Sequence, residues 1–235
     1  MKHSIYLAII ALALLGSCKK DSNNGYGGTS AQSSMKYSLK ATNPSYAVSR
    51  STGAGNIQWT SGTANPGVVR FSAVKDNIPV SYTGVNDQQV DLMSDDMVSF
   101  GTITLTPGTY SQVVVKYDLD KNGTDPALVL NGMFTSGPLT YAVIFEVDQP
   151  VELTTTENNV TVTQDSTFVA TTDIDLQGVN AGITAAMLMN AQLTHGIDGS
   201  SGTIVISATS NPTLFNTLLA NLGATQYACT IANGK

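Results

Sequence analysis

Apolar and polar residues alternate in many short segments of this chain. In the clearest segment, residues 110–119, one face carries the polar residues Gln112 and Lys116. The other face carries apolar residues, namely Val113, Val115, Tyr117 and Leu119. Because successive side chains of a strand point to opposite faces of a sheet, this period of two predicts a strand with one buried face.

The same alternation recurs along the body of the chain. It is clear at 69–73 and 141–147, and weaker at 36–41, 57–60, 80–83, 98–105, 127–134, 151–156, 160–163, 168–176, 203–208 and 227–231. Asn-Pro, Pro-Gly and Asn-Gly pairs separate several of these segments, as turns between strands would. Many short strands joined in this way predict a mainly β fold, and specifically an antiparallel β-sandwich rather than a parallel sheet.

A segment near the C-terminus has helical spacing instead. Asn211 and Pro212 supply an N-cap and a first-turn proline, and Gly223 stands where a helix would end. The apolar residues between them are Leu214, Phe215, Leu218, Leu219 and Leu222. This spacing predicts a helix over 211–223.

A second short helix is predicted from about Asn180 to Leu193. Asn180 can cap its start, and Ile183, Ala186, Met187 and Leu193 fall near one face. Met187 and Met189 are interpreted as core filling, because methionine beside alanine in a helix usually packs inside. Two short C-terminal helices therefore complete the predicted fold.

The N-terminus has the pattern of a cleaved export signal. Lys2 precedes an apolar run over 5–15, and small residues lead to Cys18. The run is too short to cross a bilayer, which takes about 20 apolar residues. Leu15-Gly16-Ser17-Cys18 resembles the bacterial lipoprotein box, and the resemblance implies that Cys18 becomes the lipidated first residue of the mature chain.

These features predict three segments. Residues 1–17 are the lipoprotein signal peptide, residues 18–34 a lipidated flexible tether, and residues 35–235 the β-sandwich body, with one candidate subdivision near 149–150. Lys19-Lys20-Asp21-Ser22 resembles the segment after the lipidated cysteine in outer-membrane lipoproteins of Bacteroidota. The resemblance implies a lipid anchor in the outer membrane of the cell envelope, with the body on the periplasmic side or at the cell surface.

A proline-glycine turn carries a second resemblance. In Leu105-Thr106-Pro107-Gly108-Thr109-Tyr110, proline and glycine suit the two central positions of a type II turn, and the tyrosine leads a strand. The motif is similar to the L-x-P-G-x-Y turn of transthyretin-like, immunoglobulin-like sandwich domains and of an uncharacterised bacterial lipoprotein family that contains them. The resemblance covers about residues 35–150 and implies a fold without implying an activity.

The charge of the chain bears on its partners. The formal net charge is −6, and no basic cluster is longer than Lys19-Lys20. An acidic chain repels phosphate, so nucleic acid is not expected as a partner. The expected contacts are the membrane through the lipid on Cys18, and a glycan or another envelope protein.

One acidic segment has the spacing of a metal site. Residues 118–125 match the first half of a calcium loop, with oxygen ligands at alternate positions and a glycine for the turn. The ligands would be Asp118, Asp120, Asn122 and the carbonyl of Thr124. The second half does not fit, because an EF-hand would place glutamate at Val129. The favoured alternative is a hairpin connection with solvated aspartates, and no other cofactor is predicted.

Other chemistry is less well supported by the sequence. Beyond the leader His195 is the only histidine, and pairing it with Cys229 would require two lone residues on different elements to converge. Asp173 and Asp175 are interpreted as surface carboxylates. Asp165-Ser166-Thr167 resembles the O-glycosylation motif of exported Bacteroidota proteins, which implies a glycan on Ser166.

Aromatic residues leave a further alternative open. Trp59, Tyr82, Tyr110 and Tyr141 could form a stacking platform for sugars, although a lone tryptophan in a sandwich is more often a core residue. Taken together, the sequence predicts a lipid-anchored envelope protein that acts as a non-enzymatic binding, adhesion or structural module. The alternative is an extracellular glycan or peptide hydrolase.

Overall fold

Strands account for most of the chain that the structure describes. The computed structural model describes residues 32–48, 55–94, 101–194, 202–224 and 228–233. Of these residues, 61% lie in strands and 12% in helices, which confirms the mainly β fold. They belong to one unit, Ala31–Lys235.

The elements have the following bounds. The strands are β1 (Ser33–Thr42), β2 (Ser45–Val48), β3 (Gly55–Ala64), β4 (Pro66–Lys75), β5 (Ile78–Val85), β6 (Val90–Asp91), β7 (Thr102–Leu105), β8 (Gly108–Leu119), β9 (Leu128–Ser136), β10 (Leu139–Val147), β11 (Val151–Glu157), β12 (Val160–Val162), β13 (Thr167–Asp175), β14 (Leu193–Thr194), β15 (Thr203–Ile206) and β16 (Ala228–Asn233). The helices are α1 (Leu176–Val179), α2 (Ala185–Met189) and α3 (Pro212–Ala224). The first strand thus begins at Ser33, slightly before the expected start of the body.

The strands form three sheets. Sheet A has the order β16-β13-β1-β7. Sheet B has the order β14-β15-β10-β9-β3-β2, and β6 also pairs with β3. Sheet C has the order β11-β8-β4-β5, and β12 also pairs with β8. Strands from before and after residues 149–150 pair within sheets A and B, so those sheets do not divide there.

Most of the described strand pairs are antiparallel, as expected, but two are parallel, which corrects the expectation in part. β1 runs parallel to β13, with Ser34 opposite Thr167, and β10 runs parallel to β15. A parallel pair needs a long connection between its strands, and here β2 to β12 intervene between β1 and β13. A period of two is the same in both strand directions, so the alternation in the sequence could not reveal this pairing.

The interior of β8 shows how the sequence pattern becomes packing. Its buried side chains are Tyr110, Val113, Val115, Tyr117 and Leu119. The alternation is interrupted between Tyr110 and Val113, where Gln112 adopts a φ of 51° and the register with β4 shifts. A β-bulge of this kind inserts one extra residue, so both flanking side chains can face the core.

Sheets A and C meet at a small group of buried hydroxyls. The Tyr117 hydroxyl donates to the Ser38 carbonyl at 3.3 Å, and the Thr172 hydroxyl donates to Tyr117 at 3.3 Å. Thr155 lies 3.4 Å from Thr172 in the same group. Burial is the main cause that raises the pKa of the nearby Tyr37, and its electrostatic interaction with Tyr117 raises the pKa further. Tyr37 therefore stays neutral. The buried polar groups between the sheets are therefore paired with one another.

The proline-glycine turn before β8 is closed by its tyrosine. Gly108 has a φ of +142°, as expected for a position that favours glycine. The Tyr110 hydroxyl donates to the Thr106 carbonyl at 2.8 Å, and the Tyr110 side chain is 2% exposed. Tyr110 therefore ties the start of β8 to the residue just before the turn.

The predicted C-terminal helix is confirmed as α3. Its buried residues are Leu214, Phe215, Leu218 and Leu222, and Phe215 packs on Phe145 of sheet B with ring centroids 6.0 Å apart. The prediction that Asn211 is the N-cap of this helix is only partly right. Its side chain forms hydrogen bonds with the backbone of Gln192 and Val205 and not with the first turn of the helix.

The second helix is shorter than expected. α2 covers only Ala185–Met189 and is capped by Thr184, whose hydroxyl accepts from the Met187 N–H at 3.2 Å. Asn180 instead ends α1, an unexpected turn of helix, and its amide donates to the Leu176 carbonyl at 2.6 Å. Gly182, with a φ of +78°, separates the two helices. Met187 packs against the core as expected, whereas Met189 is 42% exposed, so its interpretation as core filling is wrong.

Candidate binding surface

The strand β5 forms one edge of sheet C. A two-residue turn, Asp76-Asn77, joins it to β4, and the φ values of 52° and 64° are those of a type I′ hairpin turn. Lys75 and Ile78 flank the turn and face one another across it. In such a hairpin the flanking residues form the first hydrogen-bonded pair, and bonded and non-bonded pairs then alternate.

This register decides which backbone groups of β5 are free. The N–H and C=O groups of Ile78, Val80, Tyr82 and Gly84 point toward β4. Those of Pro79, Ser81, Thr83 and Val85 point away from it, and no strand among the described residues pairs with that side. The Asn86 N–H agrees with this pattern, since it donates to the Gly67 carbonyl at 3.0 Å. Proline has no N–H, so Pro79 closes the end of the edge nearest the turn, while Ser81 to Val85 present a complete set of donors and acceptors.

The side chains of β5 are unusually exposed and uncharged. The large apolar side chains that are exposed in the described chain are Ile78 (65%), Tyr82 (37%), Val85 (84%), Met133, Leu139 and Met189. Half of this set lies on β5, and the strand has no charged residue. An exposed apolar edge strand is a template for pairing with another strand.

Several other edge strands of the described chain are short or charged, although β16, at the edge of sheet A, has six residues and no charge. β2 and β7 have four residues each and β14 has two, and short edges offer little to pair with. β11 carries Glu152 and Glu157 at the opposite edge of sheet C. The edge of β5 has neither kind of protection beyond Pro79.

Tyr82 and Gly84 shape the inner face of this edge. The Tyr82 ring packs on Phe71 of β4 with centroids 6.1 Å apart and an interplanar angle of 50°. A Cβ built on Gly84 would meet no atom within 4 Å. This face therefore presents the Tyr82 ring, which packs on Phe71, beside the open space over Gly84.

A cavity lined mainly by polar residues adjoins the C-terminal end of β5. It has a volume of about 330 Å³ and lies between the loop after β5, the start of β4 and the end of β8. Its polar lining residues are Asn65, Asn86, Asp87, Gln88, Asp118, Asp120, Lys121 and Asn122. Asn65 is buried, its amide donates to the Pro126 carbonyl at 2.6 Å, and its Oδ1 has no hydrogen-bond partner among the described residues.

Several of the predicted calcium ligands line this cavity. Asp118 is held by Arg70 in a two-pronged ion pair, at 2.8 Å to Oδ1 and 2.5 Å to Oδ2. Asp120 accepts the Lys121 N–H at 2.8 Å, and the Asn122 amide donates to the Asp87 carbonyl at 3.2 Å. Thr124 lies in the turn itself, since the backbones of Asn122 and Asp125 bond one another on either side of Gly123-Thr124.

The hairpin connection that the sequence favoured as the alternative to a calcium site is right only locally, because the chain turns at Gly123-Thr124 but the loop joins β8 of sheet C to β9 of sheet B. Gly123 has a φ of +60°. In the described ranges no three His, Cys, Asp or Glu side chains come close enough together to hold a metal ion. The assignment of Asp118, Asp120, Asn122 and Thr124 to calcium stays a prediction.

Ion pairs cross the outer face of sheet C. Besides the Arg70–Asp118 pair, Lys116 Nζ lies 2.7 Å from Glu152 Oε1. This hydrogen bond is the main cause that lowers the pKa of Glu152. The face next to β5 is therefore charged and internally paired, in contrast to β5 itself.

The two aspartates that the sequence indicates as surface carboxylates, Asp173 and Asp175, are engaged in structural contacts. Asp173 lies 3.5 Å from Lys40 across β13 and β1, although Asp173 Oδ1 lacks a hydrogen-bond partner among the described residues. Asp175 accepts from the Asn43 amide at 2.9 Å and from the Gln177 N–H at 3.1 Å, and so caps α1. Asp175 therefore caps a helix, and Asp173 forms an ion pair with Lys40.

The aromatic residues do not form a shared platform. Trp59 and Tyr110 are each 2% exposed, and Trp59 is one of the largest side chains of the core. Tyr82 packs on Phe71 in sheet C, whereas Tyr141 stacks on Phe134 in sheet B. The platform of Trp59, Tyr82, Tyr110 and Tyr141 is therefore wrong, and Trp59 is a core residue.

Other predicted sites are placed in part. Ser166 lies between β12 and β13, where its hydroxyl is 2.7 Å from the Thr163 hydroxyl, and its glycosylation stays a prediction. The backbone of Cys229 pairs opposite Thr172. Cys18, the signal peptide, His195 and most of the tether lie outside the described residues.

The sequence predicts the strand β5 but not its place at the edge of a sheet. Alternation predicts a strand over 80–83, and the structure extends it to Ile78–Val85. A usable signal was present, because a proline within a strand pattern indicates an edge strand, and Pro79 is followed by residues without charge.

Comparison with known proteins gives no assignment. The chain matches no protein-family model, no curated protein and no solved structure. No helix within the described ranges is long and apolar enough to cross a bilayer.

Proposed function

We propose that this chain is a lipid-anchored protein of the cell envelope that binds a polypeptide partner through the outer edge of β5 and has no enzymatic activity. The observation that carries the binding role is the exposed, uncharged edge of β5, where no described strand pairs with the outward N–H and C=O groups of Ser81, Thr83 and Val85. Strand addition at such an edge obtains affinity from main-chain hydrogen bonds.

The anchor is proposed from the sequence around Cys18. Each buried methylene of an acyl chain contributes about 0.8 kcal/mol, so two or more chains hold a protein firmly at a membrane. The proposed location is the outer membrane of a Bacteroidota-type envelope. We further infer that sheets A and C form a transthyretin-like sandwich, which the closure of the Pro107-Gly108 turn by Tyr110 supports.

Fractionation tests the anchor. The full chain should sediment with the membranes and carry acyl groups on Cys18 in mass spectra, whereas the Cys18→Ser variant should be soluble. An unmodified first residue, or the same distribution for both proteins, would contradict the proposal.

Photo-cross-linking in the envelope tests the binding surface. A photoreactive residue in place of Thr83 should form adducts with a polypeptide, because that position lies at the centre of the open edge. Thr156 is a matched control, since it is an exposed threonine at the far edge of sheet C. The absence of adducts at Thr83, or equal adducts at both positions, would overturn the binding role.

The alternative is a hydrolase acting on extracellular glycan or peptide. A glycan array and a panel of glycosidase and peptidase substrates separate the two functions when applied to the full chain. Turnover that is lost in the His195→Ala or Cys229→Ala variant would replace the proposal with the hydrolase.

Calcium binding is tested by thermal unfolding. If Asp118, Asp120, Asn122 and the Thr124 carbonyl bind calcium, millimolar calcium raises the melting temperature relative to a chelator, and Asp120→Asn reduces that rise. Coincident melting curves would remove calcium from the account.

A further inference from the structure

We propose that the strand that pairs with β5 is β5 of a second copy of this chain, antiparallel to the first, with the two-fold axis at Thr83. This inference rests on the proposed binding role of β5 and names its partner. It follows from the pattern of free backbone groups, from charge and from the shape of the inner face.

The backbone groups fix the register. An antiparallel partner must offer N–H and C=O groups to Ser81, Thr83 and Val85, and a second β5 offers the same three residues. With Thr83 opposite Thr83, Ser81 faces Val85 of the partner copy and every free donor and acceptor in this stretch is used. A register centred closer to the turn would bring Pro79 into the ladder, where it has no N–H to donate.

The side chains suit this register. Tyr82 would lie opposite Gly84 of the other copy, where a side chain meets no atom within 4 Å. The contact of Tyr82 with Phe71 holds its ring at the edge of the core, so the ring need not be ordered on pairing. Aromatic residues opposite glycine are a known means of stabilising an edge pair.

Charge also permits the pairing of identical strands. β5 has no charged residue between Ile78 and Val85, so two copies bring no like charges together along the ladder. The opposite edge of sheet C carries Glu152 and Glu157, which disfavours a head-to-tail chain of copies through β11. A two-fold pair uses the same surface on both molecules and is therefore closed.

The contact between two β5 strands is small, so its formation depends on confinement at the membrane. Pairing of about five residues on each side buries much less than the roughly 1,200 Å² of a stable interface, so we expect it to be weak for molecules free in solution. Confinement to one membrane raises the local concentration, as tethering does on the order of millimolar. The pair is therefore expected at the membrane surface.

Single cysteines test the pair and its register. Hydrogen-bonded residues on antiparallel strands have Cα atoms about 5.5 Å apart, within the roughly 4.4–6.8 Å that a disulfide spans. Thr83→Cys in the full chain, anchored in phosphatidylcholine vesicles, should therefore form a disulfide dimer on mild oxidation. Ser81→Cys should not, because its copies would lie about 14 Å apart. A mixture of Ser81→Cys and Val85→Cys chains should form the mixed dimer.

Controls separate pairing from collision. Thr156→Cys, exposed at the far edge, and the unsubstituted chain, which retains Cys229, should give only background dimer. Ser81→Pro combined with Thr83→Cys should lose the dimer but keep the circular dichroism of the folded protein, because the Ser81 N–H points away from β4.

Each of the other possible outcomes would contradict one part of the proposal. Equal dimer from Thr83→Cys and Thr156→Cys, or no dimer from vesicles that float with the protein, would overturn the second copy as partner. Dimer from Ser81→Cys alone would overturn the register. Adducts of Thr83 with a different protein in the envelope would leave the binding role standing and remove the second copy. If the chain does not float with vesicles, the anchor is wrong, and the same variants at millimolar concentration in solution decide the pairing.

Discussion

Gly132 lies where β9 passes very close to β3. A Cβ at this position would contact the Gln58 carbonyl oxygen and lie 2.9 Å from Trp59 Cε3. Neither the strand backbone nor the buried indole can move away easily. Trp59, the only tryptophan, thus depends on a residue without a side chain at the facing position of β9.

We therefore expect Gly132→Ala to lower the free energy of unfolding by about 1–3 kcal/mol, the usual cost of overpacking a core. Gly67→Ala is the control, since its Cβ would lie 3.8 Å from the nearest atom and its change should stay within about 0.5 kcal/mol. Urea unfolding followed by Trp59 fluorescence measures both. Equal effects at the two sites would show that the Gly132 contact is not a constraint.

Asn77 occupies the second position of the turn between β4 and β5, with a φ of 64°. Asparagine tolerates this left-handed conformation and glycine adopts it freely, whereas alanine is strained there. We expect Asn77→Ala to lower the unfolding free energy by about 1 kcal/mol and Asn77→Gly to leave it equal or slightly higher. If the two variants have the same urea midpoint, the type I′ turn is contradicted, and with it the register of β5.

At the scale of elements, the outer face of sheet C is stabilised by ion pairs between strands. The Lys116 ammonium lowers the pKa of Glu152, so the pair stabilises the fold at pH above the ordinary carboxyl pKa and is lost as the pH falls through the lowered value. Glu152 is mostly exposed, which keeps the contribution within the small range of surface pairs.

Glu152→Gln should therefore lower the unfolding free energy slightly at neutral pH and not at all below the lowered pKa of Glu152. High salt should shrink the difference, because exposed pairs are screened. Glu146→Gln serves as the control, since Glu146 has no ion pair within the described residues. Urea unfolding across a pH series measures the effect, and a difference that persists in acid would mean that Glu152 acts through packing.

The elements that the sequence predicted well are those decided by local pattern. Alternation located most of the strands but not the short strands β2, β6 and β14, and the spacing from Leu214 to Leu222 located α3. The partners of the strands depend on contacts between distant segments, so the parallel pairs of β1 with β13 and β10 with β15 could not be read from the pattern. α2 was overestimated at both ends, because Gly182 separates it from α1 and Leu193 already belongs to β14.

At the scale of the whole molecule, the described residues form sheets that combine strands from both halves of the chain, and β5 presents an exposed, uncharged strand edge. The site was less predictable than the fold, because an edge is a property of the sheet and not of the strand. Pro79 and the uncharged residues after it were visible in the sequence. That no other described strand covers Ser81, Thr83 and Val85 became visible only once β5 was placed beside β4.

Amide hydrogen exchange over residues 78–85 tests whether a membrane-held chain pairs through the edge of β5. It compares the full chain in isolated envelopes with the soluble Cys18→Ser variant at low concentration. We predict that the outward amides of Ser81, Thr83 and Val85 exchange slowly in the envelope and rapidly in the soluble variant, while the inward amides of Val80 and Tyr82 stay protected in both. Equally rapid exchange of the outward amides in both samples would contradict the account.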